Sequence, residues 1–321
     1  MIRMRKNALI STVLCLLVTG AISCGDDGGG GGDGNVGPMP AKGPAVFPGS
    51  SWQTASGSQV GLKDSGLNSG LAAAMSGSDC VAIVKDGYLV ASQGSTQPRN
   101  PWSVGKSVLS SIIGIMYTNG EISSLDAPGS GSGNTIRENL EQPIDGSWDY
   151  SPTGGQSRAA DIVANYGGES VGAHAKRLLF DPLGMSRSSM GSDGFMDSNC
   201  LDLARWGHLI AQDGVWDGKR LIRSDYMQES VQPVRGNSAY GYLLWLNRKG
   251  NWESTLGASG SNSKPVPNAP ENMIYGKGFY GQTVIILPDS GIVAARLGSD
   301  GLLDDTIGAV RNLYDAVSRS F

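Results

Sequence analysis

Ser103 and Lys106 stand three residues apart at the head of an apolar run. The chain there reads Trp102-Ser103-Val104-Gly105-Lys106-Ser107, then Val108-Leu109-Ser110-Ser111-Ile112-Ile113-Gly114-Ile115-Met116. On a helix, positions i and i+3 share a face, with Cβ atoms about 5–6 Å apart. Lys106 would then reach back to the Ser103 hydroxyl. A helix that is apolar all round is buried, and burial favours a neutral amine over an ammonium. A neutral lysine beside a serine hydroxyl is a general base beside a nucleophile. The chemistry expected is acyl transfer through a covalent ester on Ser103. The other reading, a helix-capping serine with a solvent-facing lysine one turn on, leaves the apolar run unexplained. The tetrad recurs as Ser261-Asn262-Ser263-Lys264, but among Gly, Ser, Asn and Pro with no helix to follow. That copy reads as a polar loop.

The rest of the composition narrows the chemistry. There are two histidines, His174 and His208, both in helical contexts and neither beside an Asp or Glu motif. The one G-x-S-x-G match, Gly168-Glu169-Ser170-Val171-Gly172, falls inside an expected helical region rather than after a strand, where a nucleophile elbow would need to sit, so a Ser-His-Asp triad is disfavoured and lysine is left as the base. No zinc spacing appears, and no metal or organic cofactor is expected. The formal net charge of −4 gives no basic footprint, so nucleic acid is not an expected partner. Forty-eight glycines and 17% charged residues suit a loop-rich globular enzyme.

The N-terminal residues are read as a targeting segment and kept out of fold reasoning. Arg3, Arg5 and Lys6 precede an apolar core, Ala8 to Ile22, shorter than the ~20 residues that span a bilayer. Ala21-Ile22-Ser23-Cys24-Gly25 resembles a bacterial lipobox, so residues 1–24 are expected to be a signal peptide ending at a lipidated Cys24. Plain secretory cleavage is the alternative. Residues 25–48, with the run Gly28 to Gly32 and several prolines, read as a flexible tether. The expectation is an exported lipoprotein, anchored in a membrane by lipid on the periplasmic side or the cell surface. Cys80 and Cys200 could pair in an oxidising compartment, although two cysteines without a motif are more often buried small hydrophobes.

The elements that must position Ser103 can be read coarsely. Gly66 to Met75 is expected to be helical. Cys80 to Lys85 and Tyr88 to Ser92 flank Asp86-Gly87, a strong hairpin signal. Helix is expected from about Gly155 through Phe180 and from Leu201 to Gln212, and strand near Tyr240 to Leu246. A second hairpin, Thr283 to Leu287 and Ile292 to Leu297, precedes an amphipathic helix from Asp304 to Val317. Strands at both ends with helices between imply an α/β (α+β) domain over residues 49–321. One antiparallel sheet is shared by the two ends, terminal helices pack on it, and a helical subdomain (roughly 103–235) is inserted. The active site would lie in the crevice between them.

These residues resemble the serine β-lactamase and penicillin-binding family, and more closely its esterase- and amidase-like members. Ser103-Val104-Gly105-Lys106-Ser107 matches the family's first motif. Lys85-Asp86-Gly87-Tyr88 resembles its opening hairpin, and Asp181-Pro182-Leu183-Gly184-Met185 matches a recurrent segment. Asp202-Leu203-Ala204-Arg205-Trp206-Gly207 with Asp213-Gly214-Val215-Trp216 matches a later helix and turn. For the family's Tyr-x-Asn motif the best match is Tyr150-Ser151-Pro152, with Pro152 where Asn is expected. The resemblance implies that Tyr150 is partner base and later proton donor, with Lys106 as the cation that helps it. The segment between Leu140 and Trp148 is shorter than usual for the family, implying a narrowed or rearranged entrance.

For the third motif, Gly278-Phe279-Tyr280-Gly281-Gln282 resembles the esterase-like form. It implies oxyanion donors at the backbone of Ser103 and Gln282, and substrate contacts from Phe279, Tyr280 and Gly281. In this register Phe279 stands where a cation or histidine would be, and Lys277 substitutes only if the register slips. A substrate carboxylate would then lack its partner, which favours small neutral esters or amides over β-lactams. A D-alanyl carboxypeptidase or β-lactamase is the alternative within enzymes. A ligand-binding lipoprotein of the same fold with impaired catalysis is the alternative of another class.

Overall fold

A two-stranded hairpin is marginal in water, so two apolar hairpins at opposite ends of a chain gain most by joining. In the computed structural model they do. It describes residues 38–321 apart from 132, 145–146, 149, 151–153 and 299–305. The leader, the Cys24 lipobox, most of the tether and Pro152 lie outside the described residues. In chain order the principal elements are α1 (Asp64–Met75), β1 (Ser78–Lys85), β2 (Tyr88–Gly94) and α2 (Val104–Asn119). There follow α3 (Gly154–Gly167), α4 (Cys200–Ala211), β3 (Trp245–Leu246) and β4 (Ile274–Gly278). The chain closes with β5 (Gln282–Leu287), β6 (Ile292–Gly298) and α5 (Thr306–Ser318).

The six strands form one antiparallel sheet in the order β2-β1-β6-β5-β4-β3. β1 and β6 pair from Lys85↔Ile292 to Cys80↔Leu297, so the two ends of the chain lie side by side. β5 and β6 are buried along their whole length. Near-continuous apolar runs suit strands covered on both faces. The amphipathic α5 packs on β5 and against α1, and α4 packs on β6, β1 and β5. At the first hairpin, Asp86 and Gly87 adopt φ of +52° and +89°, the paired left-handed values of a type I′ turn. A Cβ at Gly87 would fall 1.7 Å from the Val46 carbonyl, so only glycine fits. That contact also moves the domain boundary. Val46 N–H donates to the Asp86 carbonyl at 2.8 Å and Lys42 N–H to that of Asp289 at 3.0 Å, so residues 42–48 belong to the domain rather than to the tether.

Two expectations are corrected. The strand expected from Tyr240 to Leu246 shrinks to Trp245–Leu246. Leu243 takes a φ of +55°, which breaks the extended run, and Tyr240 and Tyr242 turn their hydroxyls to Gln142 and Glu229. The long helix from 155 to 180 is broken at Gly168 (φ +69°) and restarts at Val171 under a Ser170 cap. Cys80 and Cys200 are paired in a disulfide, with Cα atoms 6.0 Å apart, joining β1 to the first residue of α4. A cross-link spanning 120 residues contributes on the order of 4–5 kcal/mol in the chain-entropy account.

Candidate active site

The site begins where α2 begins. Ser103 takes helical dihedrals but its side chain makes no capping bond. Lys106 Nζ instead donates to Ser103 Oγ at 2.9 Å. Every residue from Val104 to Met116 is buried, and Lys106 is 1% exposed. This burial, with a smaller contribution from the Arg158 guanidinium on α3, pulls the Lys106 amine down to about 7.

Tyr150 completes a compact group. Its ring centroid lies 4.8 Å from Lys106 Nζ, and burial pushes its phenol up to about 12, against a weaker opposing pull from its hydrogen bond with Ser103. The ring packs among Trp148, Tyr240 and Trp245, with centroids 5.6–6.2 Å from its own. The lysine is therefore driven toward its basic form, and the tyrosine is held in its protonated form.

The opposite wall is β4. A Cβ at Gly278 would stand 2.4 Å from the Pro101 carbonyl and 3.0 Å from Ser103 N. Glycine here lets strand backbone press against Ser103. Ser103, Tyr150, Thr255, Lys277, Gly278 and Phe279 line one narrow cleft, with about 10 Å³ open to the centre of a water molecule. That is about the least space that holds a single water.

Lys277 corrects the sequence register. It lies in the cleft as part of an unbroken β4–β5 ladder, opposite Thr283, so no slip is needed to bring a lysine to the site. Its Nζ donates to Thr255 Oγ1 at 2.7 Å and sits 4.0 Å from the Trp245 ring centroid. Burial first, and then Lys106, hold this amine well below the ordinary lysine range. Phe279 lines the cleft beside it rather than replacing it. Gln282 does not reach the cleft. The turn Phe279–Gly281 carries the chain past the strand end, and the Gln282 side chain is clamped to the Gly298 carbonyl and N–H. Gly281 is likewise turned away, its carbonyl accepting from Arg296 Nη1 at 2.7 Å. Tyr280 lies outside, its ring 5.5 Å from that of Trp102.

The histidines have other employment. His174 is buried between Glu121 and Glu169 at 2.6 and 2.8 Å. His208 bonds the Val46 carbonyl at 3.0 Å, and burial takes it down to about 4. Neither lines the cleft. Among the described residues no cluster suited to a metal ion occurs, and no helix is long and apolar enough to cross a membrane. Sequence reasoning missed Thr255, Arg158, Trp148, Tyr240 and Trp245. It admitted Lys277 only with a slipped register, although the small residues flanking it in Gly276-Lys277-Gly278 are the available signal of a strand in close approach.

No protein-family model and no curated protein matches the chain. Solved structures do. A β-lactamase from Mycobacterium bovis superposes with a TM-score of 0.59 at 16% identity, over 76% of this chain and 96% of that one. A penicillin-binding protein homologue from Caulobacter crescentus gives 0.60 at 13%, over 80% and 99%. A family VIII carboxylesterase gives 0.56 at 11%, over 79% and 96%. The chain has the β-lactamase-like fold, in agreement with the resemblance carried by its motifs.

Proposed function

We propose that this protein is a serine hydrolase that works through an acyl-enzyme on Ser103, with esters or amides as substrates. The observation that carries the reading is the 2.9 Å contact between Lys106 Nζ and Ser103 Oγ, made by an amine brought to about 7. At pH 7 about half of such a lysine is neutral, against ~0.04% of an ordinary one. Lys106 takes the hydroxyl proton as Oγ bonds to the substrate carbonyl carbon. The oxyanion is received by the Ser103 N–H and by the strand backbone at Gly278 and Phe279, since these line the cleft and Gln282 does not. Two such donors are worth ~2.7–4 kcal/mol each in kcat. With a phenol at about 12, Tyr150 is the proton donor to the departing oxygen or nitrogen rather than the initial base. The Lys106 ammonium then returns a proton to it, and water cleaves the ester.

The solved structures of similar fold include a β-lactamase, a penicillin-binding protein homologue and a carboxylesterase, so the fold alone selects no substrate. Phe279, an apolar wall, supports neutral esters. The amine of Lys277 keeps carboxylate-bearing substrates in play. A fluorophosphonate probe tests the reaction class. Its adduct should be found by mass spectrometry on Ser103 and vanish in Ser103→Ala; an adduct on Ser261 instead would sink the reading.

The compartment belongs to the same proposal. The Cys80–Cys200 bridge suits an oxidising location, and the Cys24 motif suits a lipid anchor. Cys24→Ser should move the protein from the membrane to the soluble fraction. Unchanged membrane association would remove the anchor from the account.

A further inference from the structure

The cleft holds almost no free volume, about 10 Å³, so little beyond the reacting carbonyl enters it. The bulk of a substrate must lie on the rim, where three half-buried aromatic residues meet: Trp102, Phe279 and Tyr280. The Trp102 ring stands edge-on to Phe279 at 6.0 Å and tilted to Tyr280 at 5.5 Å. Two of the three sit where bulky side chains are rarely found. Trp102 has φ +51° and Tyr280 φ +61°, left-handed values that cost a non-glycine residue ~1–3 kcal/mol. Trp102 N–H is tied to Asn100 Oδ1 at 2.7 Å, and its Cβ lies 3.0 Å from where a Cβ at Gly278 would stand. The backbone thus holds an indole one residue before the nucleophile, against two more rings from the opposite strand end.

We infer that Trp102, Phe279 and Tyr280 form an aromatic subsite that selects substrates with an aryl or arylalkyl group next to the scissile ester. This deepens, and rests on, the serine hydrolase reading. A rigid ring loses little freedom on binding and gains ring-to-ring contact in addition to buried area. A short aliphatic group leaves the rim wet.

The test compares kcat/KM for matched esters of similar intrinsic reactivity. Benzyl acetate against ethyl acetate probes the alcohol side, and ethyl phenylacetate against ethyl acetate the acyl side. At least one aryl partner should be preferred by about tenfold or more. The preference should fall toward unity in Trp102→Leu and, independently, in Phe279→Leu, which keeps apolar volume and guards against a misfolded tryptophan variant. A merely structural rim would lower both members of a pair equally and leave the ratio unchanged. Ser103-dependent turnover of ethyl acetate with no aryl preference, or a preference that survives both substitutions, overturns the subsite while leaving the hydrolase intact. No Ser103-dependent turnover of any ester removes the hydrolase reading, and the subsite with it.

Discussion

The chain carries the tetrad Ser-x-x-Lys twice, and the two copies end in opposite circumstances. At Ser103 the spacing is wound onto the head of a buried helix, and the lysine bonds the serine. At Ser261 the serine lies in an exposed strand, Ser259–Ser263, and bonds Asn251 Oδ1 at 2.9 Å. Its Lys264 turns to the Ala269 carbonyl at 2.6 Å. Three positions along a helix share a face, whereas three along a strand point to opposite faces. Spacing therefore acquires chemical meaning only through the element that carries it, and burial then sets the protonation state.

Lys106→Met should separate the copies most widely. Loss of the base should cost ~10²–10⁴-fold in kcat, while Lys264→Met should leave turnover within a fewfold. The same substitution should stabilise the fold, with a definite pH dependence. The folded pKa of Lys106 is depressed to about 7 from ~10.4 in the unfolded chain. Below pH 7 both states hold the proton and the cost of a buried ammonium is at its full value. Between about 7 and 10.4 the unfolded chain is the more protonated, so the stability of the unmodified protein rises with pH. The gain in melting temperature for Lys106→Met should be largest at pH 6, shrinking toward pH 10, with roughly 5 kcal/mol as its upper figure. A variant less stable at pH 6 would contradict the desolvated amine.

The pH–rate profile sharpens the same contrast. With Lys106 as base, kcat/KM should rise about tenfold per pH unit below 7 and level above it. His208, down at about 4 and outside the cleft, should add no inflection there. A rising limb centred near 10 would show that the lysine is not desolvated in solution.

The smallest expected effect concerns Lys277. An incoming carboxylate would restore the proton that burial removes and form a charge-assisted bond worth ~1.5–3 kcal/mol. Lys277→Met should therefore lower turnover of nitrocefin relative to a neutral ester by ten- to about a hundredfold. Equal losses on both substrates would make Lys277 a positioning residue for Ser103 and Tyr150 rather than an anion receptor.

Part of this was legible beforehand. Asp86-Gly87 announced its hairpin because few dipeptides accept two left-handed residues in succession. The apolar run behind Ser103 announced a buried helix because periodicity and burial are local properties of sequence. The relative places of Lys277, Phe279 and Gln282 were not legible because the three-residue turn between β4 and β5 sets which strand end faces Ser103, and Tyr280 enters it with a left-handed backbone. The disulfide was equally out of reach, since Cys80 and Cys200 are separated by 120 residues and carry no spacing signal.

By itself the sequence determined that Ser103 and Lys106 share the head of a buried helix, that the ends are strand-rich and that helices lie between, all of them consequences of neighbours within a turn or two along the chain. Only the tertiary structure decided that β1 pairs with β6, that Gly278 lets strand backbone reach Ser103, and that Lys277 and Thr255 share the cleft. It also placed Trp102 against Phe279 and Tyr280. Those outcomes depend on long-range packing of a sheet whose ends come from opposite ends of the domain, and no local pattern encodes which distant backbone will make that approach.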